Sequence, residues 1–161
     1  AWEAAALRAA SSGIRTVILR IGLVVAPGGG FLARMLLPFR LGVGGPIGNG
    51  RQWMSWIHRR DLLRLIELLS EREELAGVFN ATAPTPVTGR QFAHTLGRVL
   101  HRPAILPIPA LVLRIAFGEM SRLLLTGQRV FPVRAEAAGF EFEFRDLESA
   151  LRDALADRAP A

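Results

Sequence analysis

The run RTVILRIGLVV, residues 15–25, constrains the fold most. It is dense in β-branched and aliphatic residues and reads as a strand buried in a parallel sheet. The chain then alternates. After three glycines (28–30), FLARMLLPFR (31–40) reads as a short helix stopped near Pro38, and the Gly-rich LGVGGPIGNGRQ (41–52) reads as a loop. WMSWIH (53–58) reads as a short strand, RRDLLRLIELLSE (59–71) as a helix, and GVFNATA (77–83) as a second buried strand. Strands alternating with helices predict an α/β fold with a parallel sheet. Two or three confident strands are few for so many helices, so partner strands outside this chain are expected.

Helical periodicity refines the rest. Arg60, Arg64, Glu67 and Glu71 form a narrow polar stripe on 59–71, which predicts a helix buried on most sides. Thr88 is a candidate N-cap for a helix over 89–101 that presents Phe92, Leu96, Val99 and Leu100 on one face. RPAILPIP (102–109) reads as an extended linker, followed by two short helices over 109–117 and 119–125. FEFEF (140–144) alternates, with three phenylalanines on one face. Asp146 is a candidate N-cap for a last helix carrying Leu147, Ala150, Leu151, Ala154 and Leu155. WEAAALRAA, near the start, reads as helix with no capping residue before it, as in a chain that begins mid-fold.

Composition excludes several chemistries. The chain contains no cysteine and no tyrosine, and all 20 basic residues are arginine. No mechanism that needs a cysteine nucleophile, a tyrosine proton donor or a lysine can be completed by these residues. The absence of cysteine fits a reducing, cytoplasmic setting. The net charge of +6 is modest, and the arginines are scattered, with Arg59-Arg60 the longest run. Nucleic-acid binders cluster base, so no nucleic-acid partner is expected. The most apolar long window, 105–125, is broken by prolines and charges, so no membrane partner is expected.

The short motifs favour structural roles. Gly28, Gly29 and Gly30 follow a strand and open a helix, but their spacing misses the dinucleotide fingerprint, and a Walker loop needs a lysine. They read as a tight turn. Ser55, His58 and Asp61 are the residue types of a hydrolase triad. They stand too close in sequence for partners that converge from separate segments, so Asp61 reads as capping or opening the helix and His58 as closing the strand. His94 and His101, seven apart on one helix, do not make a metal pair. The segment from Arg51 to Trp56 carries two indoles and a guanidinium. It is equally a core strand with tryptophan anchors or one wall of a ligand pocket.

Several unusual strings occur in order: G-G-P-I-G-x-G-R-Q-W, W-I-H, the segment 80–84, and G-Q-R-V-x-P. Together they resemble the second half of an atypical extended short-chain dehydrogenase/reductase of the NAD(P)-binding, nucleotide-sugar-epimerase-like kind, including its characteristic C-terminal domain. The resemblance runs from about Trp2 to the last helix. It implies the C-terminal portion of a Rossmann-like parallel sheet (1–82) plus a small, mostly helical substrate lobe (83–161). It also implies that the dinucleotide loop and the Tyr-x-x-x-Lys pair of such proteins belong to an N-terminal Rossmann half outside this chain.

By that resemblance, Arg20 and Gly22 end a sheet strand beside the nicotinamide half of NAD or NADP. Arg20 is equally read as a structural ion pair. Met35, Phe39, Arg51, Trp53, Trp56 and His58 would line the side facing a small-molecule substrate. The expected function is the substrate-binding half of an NAD(P)-dependent epimerase-like oxidoreductase, inactive alone and with weak or no cofactor affinity. The alternative is a stand-alone ligand- or partner-binding module.

Overall fold

The computed structural model describes residues 2–107 and 127–156. The elements are α1 (Trp2–Ser11), β1 (Val17–Ile21), β2 (Leu23–Val25), α2 (Gly30–Arg40), β3 (Trp53–Met54), β4 (Trp56–His58), α3 (Arg59–Glu71), β5 (Gly77–Ala81), β6 (Val87–Thr88), α4 (Gly89–Leu100), α5 (Val133–Ala137) and α6 (Leu147–Ala156). The two short helices expected over 109–117 and 119–125 lie outside the described residues.

The fold is α/β, with β1 parallel to β5 and β2 parallel to β4. The 15–25 run changes neighbour at Gly22. Before it, Arg20 pairs with Asn80 and Ile21 with Ala81. After it, Leu23 pairs with Trp56 and Val25 with His58. Gly22 donates to Ala81 O and Leu23 to Ser55 O. A Cβ at position 22 would stand 2.5 Å from Ser55 O and 3.0 Å from Thr82 Cγ2. Glycine is required there because three chain segments meet without room for a side chain.

Two hydrophobic clusters hold the layers together. One joins α2, Trp56, α4 and α6; the other joins Ile57, α3, β5, Ala135, Phe140 and Phe142. Both draw residues from either side of position 82.

The helix expected over 31–40 does end at Arg40, with Pro38 inside its last turn, where a single missing N–H leaves the turn intact. Several expectations need correction. WMSWIH is two strands, because β3 pairs antiparallel with β6 while β4 pairs with β2. Only one face of α3 is buried, through Asp61, Leu65 and Leu69, whereas Leu63 is 57% and Ile66 40% exposed. The end of β1 is not buried either, since Ile21 is 51% exposed. The N-cap of α3 is His58, whose Nδ1 accepts from Arg60 N at 3.2 Å. Asp61 is used elsewhere: it accepts the backbone N–H groups of Glu143 and Phe144, each at 2.9 Å. FEFEF therefore places its three rings in the core without pairing as a strand. The caps Thr88 and Asp146 are as expected, with Thr88 and Gln91 forming a reciprocal capping box.

Candidate ligand site at the carboxyl ends of the parallel strands

In open α/β sheets, ligands bind outside the carboxyl ends of the strands. Here a strap, residues 127–131, meets the carboxyl end of β5 through Asn80 and Thr82 and the amino end of β4 through Ser55. Ser55 Oγ donates to Gln128 O at 2.8 Å and accepts from Val130 N at 2.9 Å. Thr82 Oγ1 donates to Val130 O, and Asn80 Nδ2 to Phe131 O at 3.1 Å. Gly127 lies against the backbone of Trp53, where a Cβ would stand 1.7 Å from Trp53 O. The Arg129 guanidinium stacks on Trp53, 4.4 Å from the ring centre, and lies 5.1 Å from that of Phe131. The bonds of Ser55, Asn80 and Thr82 to the strap are not legible in the sequence, because the strap stands about fifty to seventy residues from them. The available signal was G-Q-R-V-x-P, used for resemblance alone.

Arg20 sits on the same stretch of sheet as the Cα partner of Asn80. Its guanidinium is 57% exposed and makes a bidentate pair with Glu3, two N–O distances of 2.7 Å. This pairing lowers the Glu3 carboxyl and raises the Arg20 guanidinium from their usual ranges, chiefly through the hydrogen bonds. Gly22 marks the junction described above.

The other sequence candidates separate by burial. Met35, Phe39, Trp56 and His58 are packed inside the core and present no surface to a ligand. Trp56 Nε1 donates to Thr85 O at 2.9 Å, which settles its polar atom within the fold. Trp53 is half-buried under Arg129. Arg51 lies 

apart from the strap, on a cleft of about 560 Å³ with Asn49, Arg90, His94 and Ile105 among its lining residues. The structure therefore does not gather the six into one wall.

His58 is instead part of a polar seam between α3 and α6. Its Nε2 is 3.3 Å from Asp153 Oδ2, within ion-pair range but too poorly angled for a hydrogen bond, so this buried nitrogen has no hydrogen-bond partner among the described residues. Arg60 pairs with both Asp153 and Glu143. Burial pushes the imidazole below its usual range, with Arg60 adding to the effect and Asp153 opposing it. The ring is neutral at pH 7, with Nδ1 as acceptor. Gly28 and Gly30 have positive φ, and nothing lies within 4 Å of a Cβ built at 28, 29 or 30. They form the turn from β2 into α2.

Residues 1–81 match the model of the NAD dependent epimerase/dehydratase family, and residues 108–154 match DUF1731, a domain of unknown function. The chain belongs to the NAD dependent epimerase/dehydratase family. The epimerase family protein SDR39U1 of Mus musculus is 46% identical over 156 residues, 96% of this chain and 53% of its own length. YfhF of Bacillus subtilis is 45% identical, over 98% of this chain and 52% of its own length. Human SDR39U1 (isoform 2), solved with NADPH, superposes with a TM-score of 0.83 at 42% identity, over 90% of this chain and 49% of that one. A nucleoside-diphosphate sugar epimerase from Corynebacterium glutamicum gives a TM-score of 0.71 at 26% identity, over 96% of this chain and 29% of that one. The chain thus spans about half the length of the curated relatives it matches. Among the described residues, no helix of this family member is long and apolar enough to cross a membrane.

Proposed function

We propose that this chain is the substrate-binding half of an NAD(P)-dependent, epimerase-like oxidoreductase and is inactive alone. The observation that carries this reading is an unfinished sheet. β1 has β5 as its one strand neighbour among the described residues. Along that flank Ile14, Ile21, Leu63 and Ile66 are exposed, beside a groove lined by Arg15, Val17, Leu19, Ile66, Leu69 and Ser70. Parallel sheets are ordinarily covered on both faces, and exposed apolar area of this kind marks a docking surface. The proposed occupant is an N-terminal Rossmann half, which would add strands beyond β1.

The residues present fit only the border of a dinucleotide site. The open glycine turn at 28–30 lacks the fingerprint spacing, so the phosphate loop is assigned to the other half. Arg20 and Gly22 would border the nicotinamide end, with Arg20 exchanging Glu3 for a cofactor group. Arg51 and Trp53 remain as substrate contacts, since both keep accessible surface. Bound NAD or NADP supplies hydride exchange with a carbonyl or carbinol carbon. A proton donor or acceptor from the other half would serve the oxygen on that carbon.

The test joins this chain to the N-terminal half of Bacillus subtilis YfhF and compares it with the chain alone. Saturable NADPH binding is expected only in the joined protein. Turnover of a carbonyl substrate with NADPH by the chain alone would overturn the proposal.

A further inference from the structure

Arg129 is unusually well fixed for an exposed arginine. On one side of it, Gly127 is pressed against the Trp53 carbonyl and Gln128 O accepts from Ser55. On the other, Val130 is bonded to Ser55 and Thr82, and Phe131 O accepts from Asn80. The backbone at 129 is therefore held from both ends. The guanidinium itself is held by Trp53 and Phe131. A guanidinium carries five N–H donors in a planar fork, and a contact with a ring face does not by itself use them all. Among the described residues, no carboxylate pairs with Arg129. Arg20, Arg60, Arg64, Arg98, Arg145 and Arg152 all have such a partner.

A cation whose backbone and ring faces are both ordered has already lost much of the side-chain entropy that binding would otherwise cost. Its position at the carboxyl ends of β1 and β5 is where α/β sheets receive ligands. We propose that Arg129, held against Trp53 and Phe131, receives an oxyanion of the bound small molecule, a phosphoryl or carboxylate group bound by its guanidinium N–H donors. This rests on reading the carboxyl end of the sheet as the ligand side, and it adds the chemical class of the group bound there. Trp53, beside its proposed contact with the substrate, then also positions Arg129.

Inorganic phosphate and acetate are titrated into the chain while the Arg129 Nε–H resonance is followed by NMR. Neither the cofactor nor a second half is required, so failure here is distinct from failure of the functional proposal. A saturable shift of that resonance is expected. R129Q should weaken phosphate binding at least tenfold, and W53A should weaken it severalfold, with the charge at 129 kept. R129K, which retains the charge should R129Q unfold, should bind phosphate more weakly than the parent. In the joined protein, competition by NADPH would assign the group to the cofactor. Unchanged phosphate binding with NADPH present would assign it to the substrate. An unshifted Arg129 resonance, or equal phosphate affinity in the folded Arg129 variants, overturns the proposal.

Discussion

The carboxylate of Asp61 holds the backbone of Phe144: Oδ2 accepts its N–H at 2.9 Å, and Oδ1 accepts that of Glu143 at the same distance. Asp61 is fully buried, with Arg64 as its countercharge at 3.2 Å. A side chain on the first turn of α3 thus supplies the acceptors that a neighbouring strand would have offered to FEFEF, which keeps Phe140, Phe142 and Phe144 in the core.

Removing that carboxylate should be costly. Asp61→Ala leaves two backbone donors without their acceptors. With hydrogen bonds to charged groups contributing about 1.5–3 kcal/mol each, a loss of about 3 kcal/mol or more is expected. Asp61→Asn keeps one acceptor and should lose less. Urea unfolding of the two variants checks the order; an Asp61→Ala protein as stable as the parent would contradict it.

Acid should weaken the seam at His58 before it touches the carboxylates. The imidazole is held below its ordinary value of 6.5 by burial, with Arg60 adding and Asp153, Asp61 and Glu143 opposing. The unfolded chain therefore takes up this proton first. Stability is fully present above about pH 6.5 and falls as pH drops through that value toward the lowered native one. Protonating Nδ1 would also remove the cap of α3. Asp146 and Glu148, whose carboxyls are lowered, lose their contributions only below about pH 4. Urea midpoints between pH 5 and 8 should fall on the acid side for the parent and flatten in His58→Asn.

Two glycines should not tolerate a methyl group. Gly22→Ala drives a Cβ into Ser55 O, and Gly127→Ala drives one still closer to Trp53 O. Backbone cannot swing aside as a side chain can, so each should cost about 1–3 kcal/mol or more, the scale of overpacking. Gly127→Ala should also release the strap and weaken phosphate binding, whereas Gly29→Ala, with open space around its Cβ, should do neither.

The exposed flank separates folding from docking. Leu63→Glu changes a side chain that is largely in solvent, so the chain should keep its stability to within about 0.5 kcal/mol. The same change should abolish NADPH binding in the protein joined to the YfhF half. Retained binding there would remove α3 from the docking surface.

Local signals were legible where the physics is local. The Thr88 cap, the Asp146 cap and the bounds of α3 follow from residues within one helical turn of each other. His58 closes β4 and Asp61 stands in the first turn of α3, both as expected, but the cap itself is His58 and not Asp61. A capping side chain is recognised by its place before the helix, while the duty of Asp61 lies 82 and 83 residues away. Burial of Met35, Phe39, Trp56 and His58 was likewise hidden, since an aromatic-rich segment fits a core and a ligand wall equally well.

The sequence by itself determined the α/β class, the alternation of strands and helices, and the absence of tyrosine, lysine and cysteine chemistry from this chain. Those depend on residue type and on periods of a few positions. The tertiary structure alone decided that the 15–25 strand changes partner at Gly22, that the strap bonds to Ser55, Asn80 and Thr82, and that Arg129 of the strap stands over Trp53. These are contacts between segments far apart in the chain, and only the packed fold brings them within hydrogen-bonding reach.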